Sequence, residues 1–186
     1  MERLKTASDK EFPILLKAAP RKKVFLKNVT FDTSLYTDFQ GHAQDKVANT
    51  LMANFVASTQ VSLRSRADGD CFFNSVSTLL CGSESRTTEL RHRCCIYMVL
   101  EKSQIMINRH YKKLISPQIN TDCLNCARTG TYSSMHMFIA MSRLLNIPIK
   151  VHYPAVNGSK NYNFQVMNTL LRPPFPDNGT INLMWI

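Results

Sequence analysis

The stretch Asp68-Gly69-Asp70-Cys71-Phe72-Phe73-Asn74-Ser75 decides how the rest of the chain is read. Arg66-Ala67-Asp68-Gly69-Asp70 is a turn signal, because Gly adopts backbone angles other residues avoid and Asp can bond its own backbone. Cys71 then opens an apolar run at helical spacing, Phe72, Phe73, Val76, Leu79 and Leu80, and Cys81-Gly82-Ser83 supplies the stop. A thiol at a helix start sits among unpaired N–H groups and the positive end of the helix dipole, which favour its thiolate. The preceding turn can aim further N–H groups at a developing oxyanion. The same position also suits a buried, inert cysteine, so the layout alone leaves both readings open.

Upstream, Val47, Leu51 and Phe55 are spaced four apart and predict a helix from Asp45, and Val61 and Leu63 alternate as a short strand. Before that, residues 1–42 read as a loosely organised basic flank, with Lys17, Arg21, Lys22, Lys23 and Lys27 and an extended piece around Val24, Leu26 and Phe31. Downstream, helices are expected over Thr87–Leu100 and around Gln104–Leu114, and residues 116–131 read as a loop. Ser133 or Ser134 can cap a further helix striped by Met137, Met141 and Leu145. Ile147, Ile149, Val151 and Tyr153 alternate as a strand, as do Ile181, Leu183 and Trp185, with a weaker hint at Phe164 and Val166. Helices come first and strands late, which is the order of an α+β fold.

The motif resembles the signature of the OTU (ovarian tumour) cysteine proteases, Asp-Gly-Asn-Cys-Leu-Phe-Arg followed by Ala or Ser. Further resemblances follow in family order: Cys81-Gly82-Ser83, Glu89-Leu90-Arg91, Gly130-Thr131-Tyr132-Ser133-Ser134, Ile147-Pro148-Ile149 and Ile181-Asn182-Leu183-Met184-Trp185. They are similar above all to the divergent OTU-like segments of vertnin-like and transposon-associated proteins. The resemblance implies a papain-type α+β fold over residues 43–186, helices packed around a small late sheet, and thiol-dependent hydrolysis of ubiquitin conjugates. It implies Cys71 as nucleophile, Asp68 as the aspartate shaping the loop, the N–H groups of Gly69 and Asp70 as oxyanion donors, and Tyr132 and Trp185 beside the substrate groove.

Departures from the family pattern set the alternative, an OTU-like module that binds ubiquitin or another protein without chemistry. Asp70 stands where the family has Asn, and a carboxylate beside Cys71 opposes thiolate formation. Tyr132 replaces Trp, and two serines replace glycines. The family's catalytic histidine follows the last strand, and the sequence reaches Ile186 without it, so the domain is expected to be cut before its final catalytic segment. His42, His92, His110, His136 and His152 all fall elsewhere in the pattern.

Composition bounds the rest. With 186 residues, 44% apolar and 19% charged, the chain can bury one sizeable core. No run of about 18 apolar residues predicts a membrane span. The charged start Met1-Glu2-Arg3-Leu4-Lys5 leads into no leader-like apolar run, so an intracellular place, cytoplasm or nucleus, is expected, with six free thiols rather than disulfides. A net charge of +10 makes nucleic acid a secondary candidate partner after ubiquitin. Cys123 and Cys126 form a C-x2-C pair without a second pair at finger spacing, so neither zinc nor any cofactor is expected.

Overall fold

The computed structural model describes residues 11–26, 41–52, 61–107, 117–153, 168–173 and 179–184. Residues 11–18 are helical (α1) and run into a 3-10 stretch, Ala19–Leu26. Then follow α2 (Lys46–Met52), α3 (Cys71–Cys81), α4 (Thr87–Leu100), α5 (Lys102–Ile107), α6 (Ile119–Ala127) and α7 (Met135–Leu145). The strands β1 (Ile149–His152), β2 (Leu170–Leu171) and β3 (Ile181–Met184) come last, so the fold is α+β.

α4 is the central element. The N-terminal 3-10 stretch, α3, α6 and α7 all pack against it, which is why Leu90, Cys94, Cys95, Met98 and Val99 are all buried. α3 carries a clean apolar face, with Phe72, Phe73, Val76 and Leu80 inside, and Gly82 ends it in the left-handed conformation at φ 69°. Phe72 stacks on Phe138 of α7 at 4.0 Å between ring centroids, a pairing worth about 0.5–1.5 kcal/mol beyond its buried area. α7 is buried nearly all round, and Met137, Met141 and Leu145 fill the core as their spacing implies. Ser134 occupies its cap position, but its hydroxyl makes no cap bond.

The sheet has the order β2-β1-β3. β1 runs parallel to β3 with Ile149 opposite Ile181 and His152 opposite Met184, and antiparallel to β2. Ile149, Val151, Ile181 and Leu183 turn to the buried face, and α3 lies against β3. Within the flank read as 1–42, residues 11–26 are helical and Phe12 and Ala19 join the main core.

Several local expectations change. The strand at Val61 and Leu63 reduces to one antiparallel bridge between Gln44 and Leu63, held by Asp45 N to Ser62 O and Arg64 N to Ala43 O. Val24 and Leu26 lie in the 3-10 stretch rather than in extended chain. The loop read over 116–131 contains α6, whose Ile119, Cys123, Leu124 and Cys126 are buried at helical spacing; cysteines there act as small core residues. The helix expected around Gln104–Leu114 is α5 as far as Ile107. The readings at Phe31, Phe55, His110, Phe164, Val166 and Trp185 lie outside the described residues.

Candidate active site

Cys71 is the first residue of α3, half-buried, and Asp70 occupies the cap position. The turn before it is tied by its own aspartate. Asp68 Oδ1 accepts from Asp70 N at 3.0 Å and from the side-chain amide of buried Asn74 at 3.1 Å. Asn74 Oδ1 in turn lies 2.8 Å from Thr87 Oγ1 at the start of α4. Asp68 therefore shapes the loop, and it also takes up the Asp70 N–H, one of the two donors the resemblance assigns to an oxyanion. The N–H groups of Cys71 and Phe72 remain directed at the thiol.

Behind this turn stands Arg91 of α4, fully buried. Its Nη1 donates to Arg128 O at 2.7 Å and Asn125 O at 3.1 Å, at the carbonyl end of α6. Its Nη2 donates to Thr131 O at 2.8 Å and Gly69 O at 3.1 Å. Nε lies 2.6 Å from Asp70 Oδ1, and the guanidinium sits 4.5 Å over the Phe73 ring. Asp70 Oδ2 accepts from Gly130 N at 2.9 Å. One side chain thus joins the Cys71 turn, the end of α6 and the loop that leads to Tyr132. In the sequence Arg91 stands out only as part of the Glu89-Leu90-Arg91 resemblance.

The turn and the Gly130 loop touch through their backbones. A Cβ built on Gly69, whose φ is +79°, would lie 2.2 Å from Gly130 O. Gly69→Ala is expected to add about 1–3 kcal/mol of backbone strain and to push the Gly130 loop off the turn. Thermal denaturation read together with Cys71 alkylation checks this, and wild-type values for both would contradict the contact.

Cys71 is held above the ordinary thiol range. Burial is the first cause, opposed by the N–H groups of Phe72 and Cys71, with the Asp68 carboxylate adding to the rise ahead of that of Asp70. The carboxylate of Asp70, expected from sequence to oppose the thiolate, pairs with Arg91. Since only the thiolate reacts, Cys71 alkylation by iodoacetamide is expected to lag a free cysteine at neutral pH. It is also expected to keep climbing about tenfold per pH unit until about pH 9. A plateau near pH 7, followed by mass spectrometry of the Cys71 peptide, would contradict this reading.

No histidine among the described residues acts on the ionisation of Cys71. His136 is buried in α7 with Nδ1 2.5 Å from Asp122 Oδ2 of α6. His152 of β1 has Nε2 3.2 Å from Asn182 Oδ1 of β3, and burial lowers its pKa. Tyr132 is 73% exposed, next to the Thr131 that Arg91 holds. A shallow depression lies on the other side of the turn, lined by Ala43, Arg64, Ser65, Arg66, Ala67 and Glu84. Arg66 spans it, 2.5 Å from Glu84 Oε2 and 3.5 Å from Asp68 Oδ2.

The C-x2-C pair faces α4. Cys95 Sγ donates to Cys123 O at 3.4 Å and Cys126 Sγ to Arg91 O at 3.5 Å, and all four thiols of this interface are buried. Among the described residues no group of three or more His, Cys, Asp or Glu is arranged to hold a metal ion. Elemental analysis of purified protein is expected to find no stoichiometric zinc.

Residues 62–118 match the family profile described as "Vertnin, OTU domain". The matched segment spans the nucleophile turn, α3, α4 and α5, and shows the resemblance to a divergent OTU domain. Among solved structures the chain is similar to the OTU domain of OTUD1, with TM-score 0.48 and 21% identity over 66% of this chain and 77% of that one. It is also similar to the viral OTU domain protease from Dera Ghazi Khan virus, with TM-score 0.47 and 20% identity over 65% and 71%. No curated protein matches the chain.

Proposed function

We propose that this OTU-like unit, residues 43–186 with the helical part of the N-terminal flank packed on it, acts on ubiquitin conjugates through Cys71. The observation that carries the reading is the placement of Cys71. It heads α3, on a turn shaped by Asp68 and backed by Arg91 and the Gly130 loop. In the reaction, the Cys71 thiolate would attack the carbonyl at the ubiquitin C-terminus and form a thioester, the lysine amine would leave with a proton taken from solvent, and water would then cleave the thioester and return the thiol. The remaining free N–H groups of the turn would steady the oxyanion. Gly69, Asp70, Tyr132 and Trp185 would meet the substrate. The proposed setting is intracellular, cytoplasm or nucleus, consistent with six free cysteines. No helix among the described residues is long and apolar enough to cross a membrane.

A second reading, a ubiquitin- or protein-binding module without turnover, is favoured by two observations. The Cys71 thiol is held up by burial, and no histidine among the described residues acts on it. A base and proton donor beside the thiol is worth about 10²–10⁴-fold in rate.

Ubiquitin carrying a C-terminal thiol-reactive electrophile separates the two. An adduct that Cys71→Ala abolishes supports the enzymatic site, and binding without an adduct supports the module. Neither binding nor an adduct would overturn both. Hydrolysis of a ubiquitin conjugate at neutral pH is expected to be slow, because burial holds the Cys71 thiol in its neutral form.

A further inference from the structure

Asp70 stands one residue before the nucleophile, where a free carboxylate would hold a thiol in its neutral form. The two acidic residues of the turn differ in their partners. Asp68 Oδ2 meets only the exposed Arg66, at 3.5 Å. Asp70 Oδ2 accepts from the Gly130 N–H at 2.9 Å, and Oδ1 makes an ion pair with Arg91 Nε at 2.6 Å, a charge contact outside hydrogen-bond geometry. A buried counter-ion is poorly screened by water and neutralises its partner far better than an exposed one.

We propose that Arg91 is a positioning residue for Cys71: by binding the Asp70 carboxylate and the Gly69 carbonyl it fixes the nucleophile turn and keeps the charge of Asp70 off the thiol. Asp70 still adds to the rise of the Cys71 thiol, behind burial and Asp68, so what Arg91 holds back is the larger effect of an unpaired carboxylate. The remaining charged groups nearby are engaged elsewhere. Arg66 and Glu84 pair with one another, and His136 of α7 faces Asp122. Arg143 of α7 acts on Tyr97. β3 brings no titratable side chain among its described residues.

The Arg91–Asp70 pair also gives the substitution at position 70 a meaning. An Asp in place of the family's Asn adds a negative charge beside the reactive sulfur, and the chain accommodates it with an arginine whose head group is already buried there. The inference concerns the same thiol as the proposed function, but alkylation tests it without any ubiquitin, so the two can fail separately.

The experiment is the pH–rate profile of Cys71 carboxamidomethylation, read on the Cys71 peptide, for wild type, Asp70→Asn, Arg91→Gln and the double variant. Arg91→Gln frees the Asp70 carboxylate and is expected to slow alkylation at pH 7 by about five- to tenfold, up to one pKa unit. Adding Asp70→Asn is expected to restore the rate to within about twofold of wild type, a rescue that a purely structural role for Arg91 would not give. An Arg91→Gln rate equal to wild type, or a double variant as slow as Arg91→Gln, would overturn the proposal. If Arg91→Gln fails to fold, Asp70→Asn alone decides. It is expected to change the rate by less than about twofold, and an acceleration of about fivefold or more would mean that Asp70 acts on the thiol uncompensated.

Discussion

Arg91→Ala is expected to destabilise the fold by about 3–5 kcal/mol, because removing one partner of a buried pair leaves the other charge and its acceptors without compensation. The Asp70 carboxylate would lose its counter-ion, and the carbonyls of Gly69, Asn125, Arg128 and Thr131 would lose a shared donor. The Phe73 ring would face a void where the guanidinium sits. For a chain of this length, each kcal/mol corresponds to about 2–4 °C in melting temperature, so a drop of roughly 6–20 °C is expected. Differential scanning calorimetry checks it, and a melting temperature within about 2 °C of wild type would contradict the assigned role. Arg91→Lys keeps the charge but not the forked donor, and is expected to fall between.

Alkaline conditions are expected to weaken the fold steeply through the thiols between α4 and α6. Burial holds Cys123 protonated up to about 12, and Cys126 is raised well above the ordinary thiol range. Cys95 is raised too, first by its contact with Cys126 and then by burial. In the unfolded chain these thiols release their protons near pH 8.5. Between that pH and their folded values the native state binds more protons than the unfolded state, so stability falls as pH rises. It is fully present below about pH 8.5, and the loss is about 1.4 kcal/mol per pH unit for each thiol held back. Melting curves from pH 7.5 to 10 check the slope. Cys126→Ala is expected to flatten it by about one thiol's share, and an unaltered slope would show that the cluster does not govern it.

Most of this architecture is legible in the sequence where pattern and chemistry agree. Asp68 to Ser75 signals a turn and a helix start together, and the apolar spacing of 71–81 and 87–100 fits the observed helices. α6 is hidden because its stripe is built from Ile119, Cys123, Leu124 and Cys126, and a C-x2-C pair reads as metal chemistry before it reads as core. β2 is too short to carry a periodicity. Arg91 escapes notice because a lone arginine in a helix normally points at water. The signal was present: Arg91 falls on the same stripe as Cys94, Cys95 and Met98, at spacings of three, four and seven. A charged residue on an apolar stripe needs a buried partner, and the only carboxylates in the nearby motif were Asp68 and Asp70.

The span of chain that Arg91 gathers also bears on how the domain assembles. Gly69 lies 22 residues before it and Thr131 lies 40 after it, so none of these bonds can close until long stretches have collapsed together. The Cys71 turn is therefore expected to form late in folding and to lose its conformation in a short peptide containing it. Opening of the turn is bound to the parting of α4 from α6. Amide exchange at Gly130, whose N–H is held by Asp70 Oδ2 across 60 residues of chain, is accordingly expected to be slower than that of an ordinary surface loop.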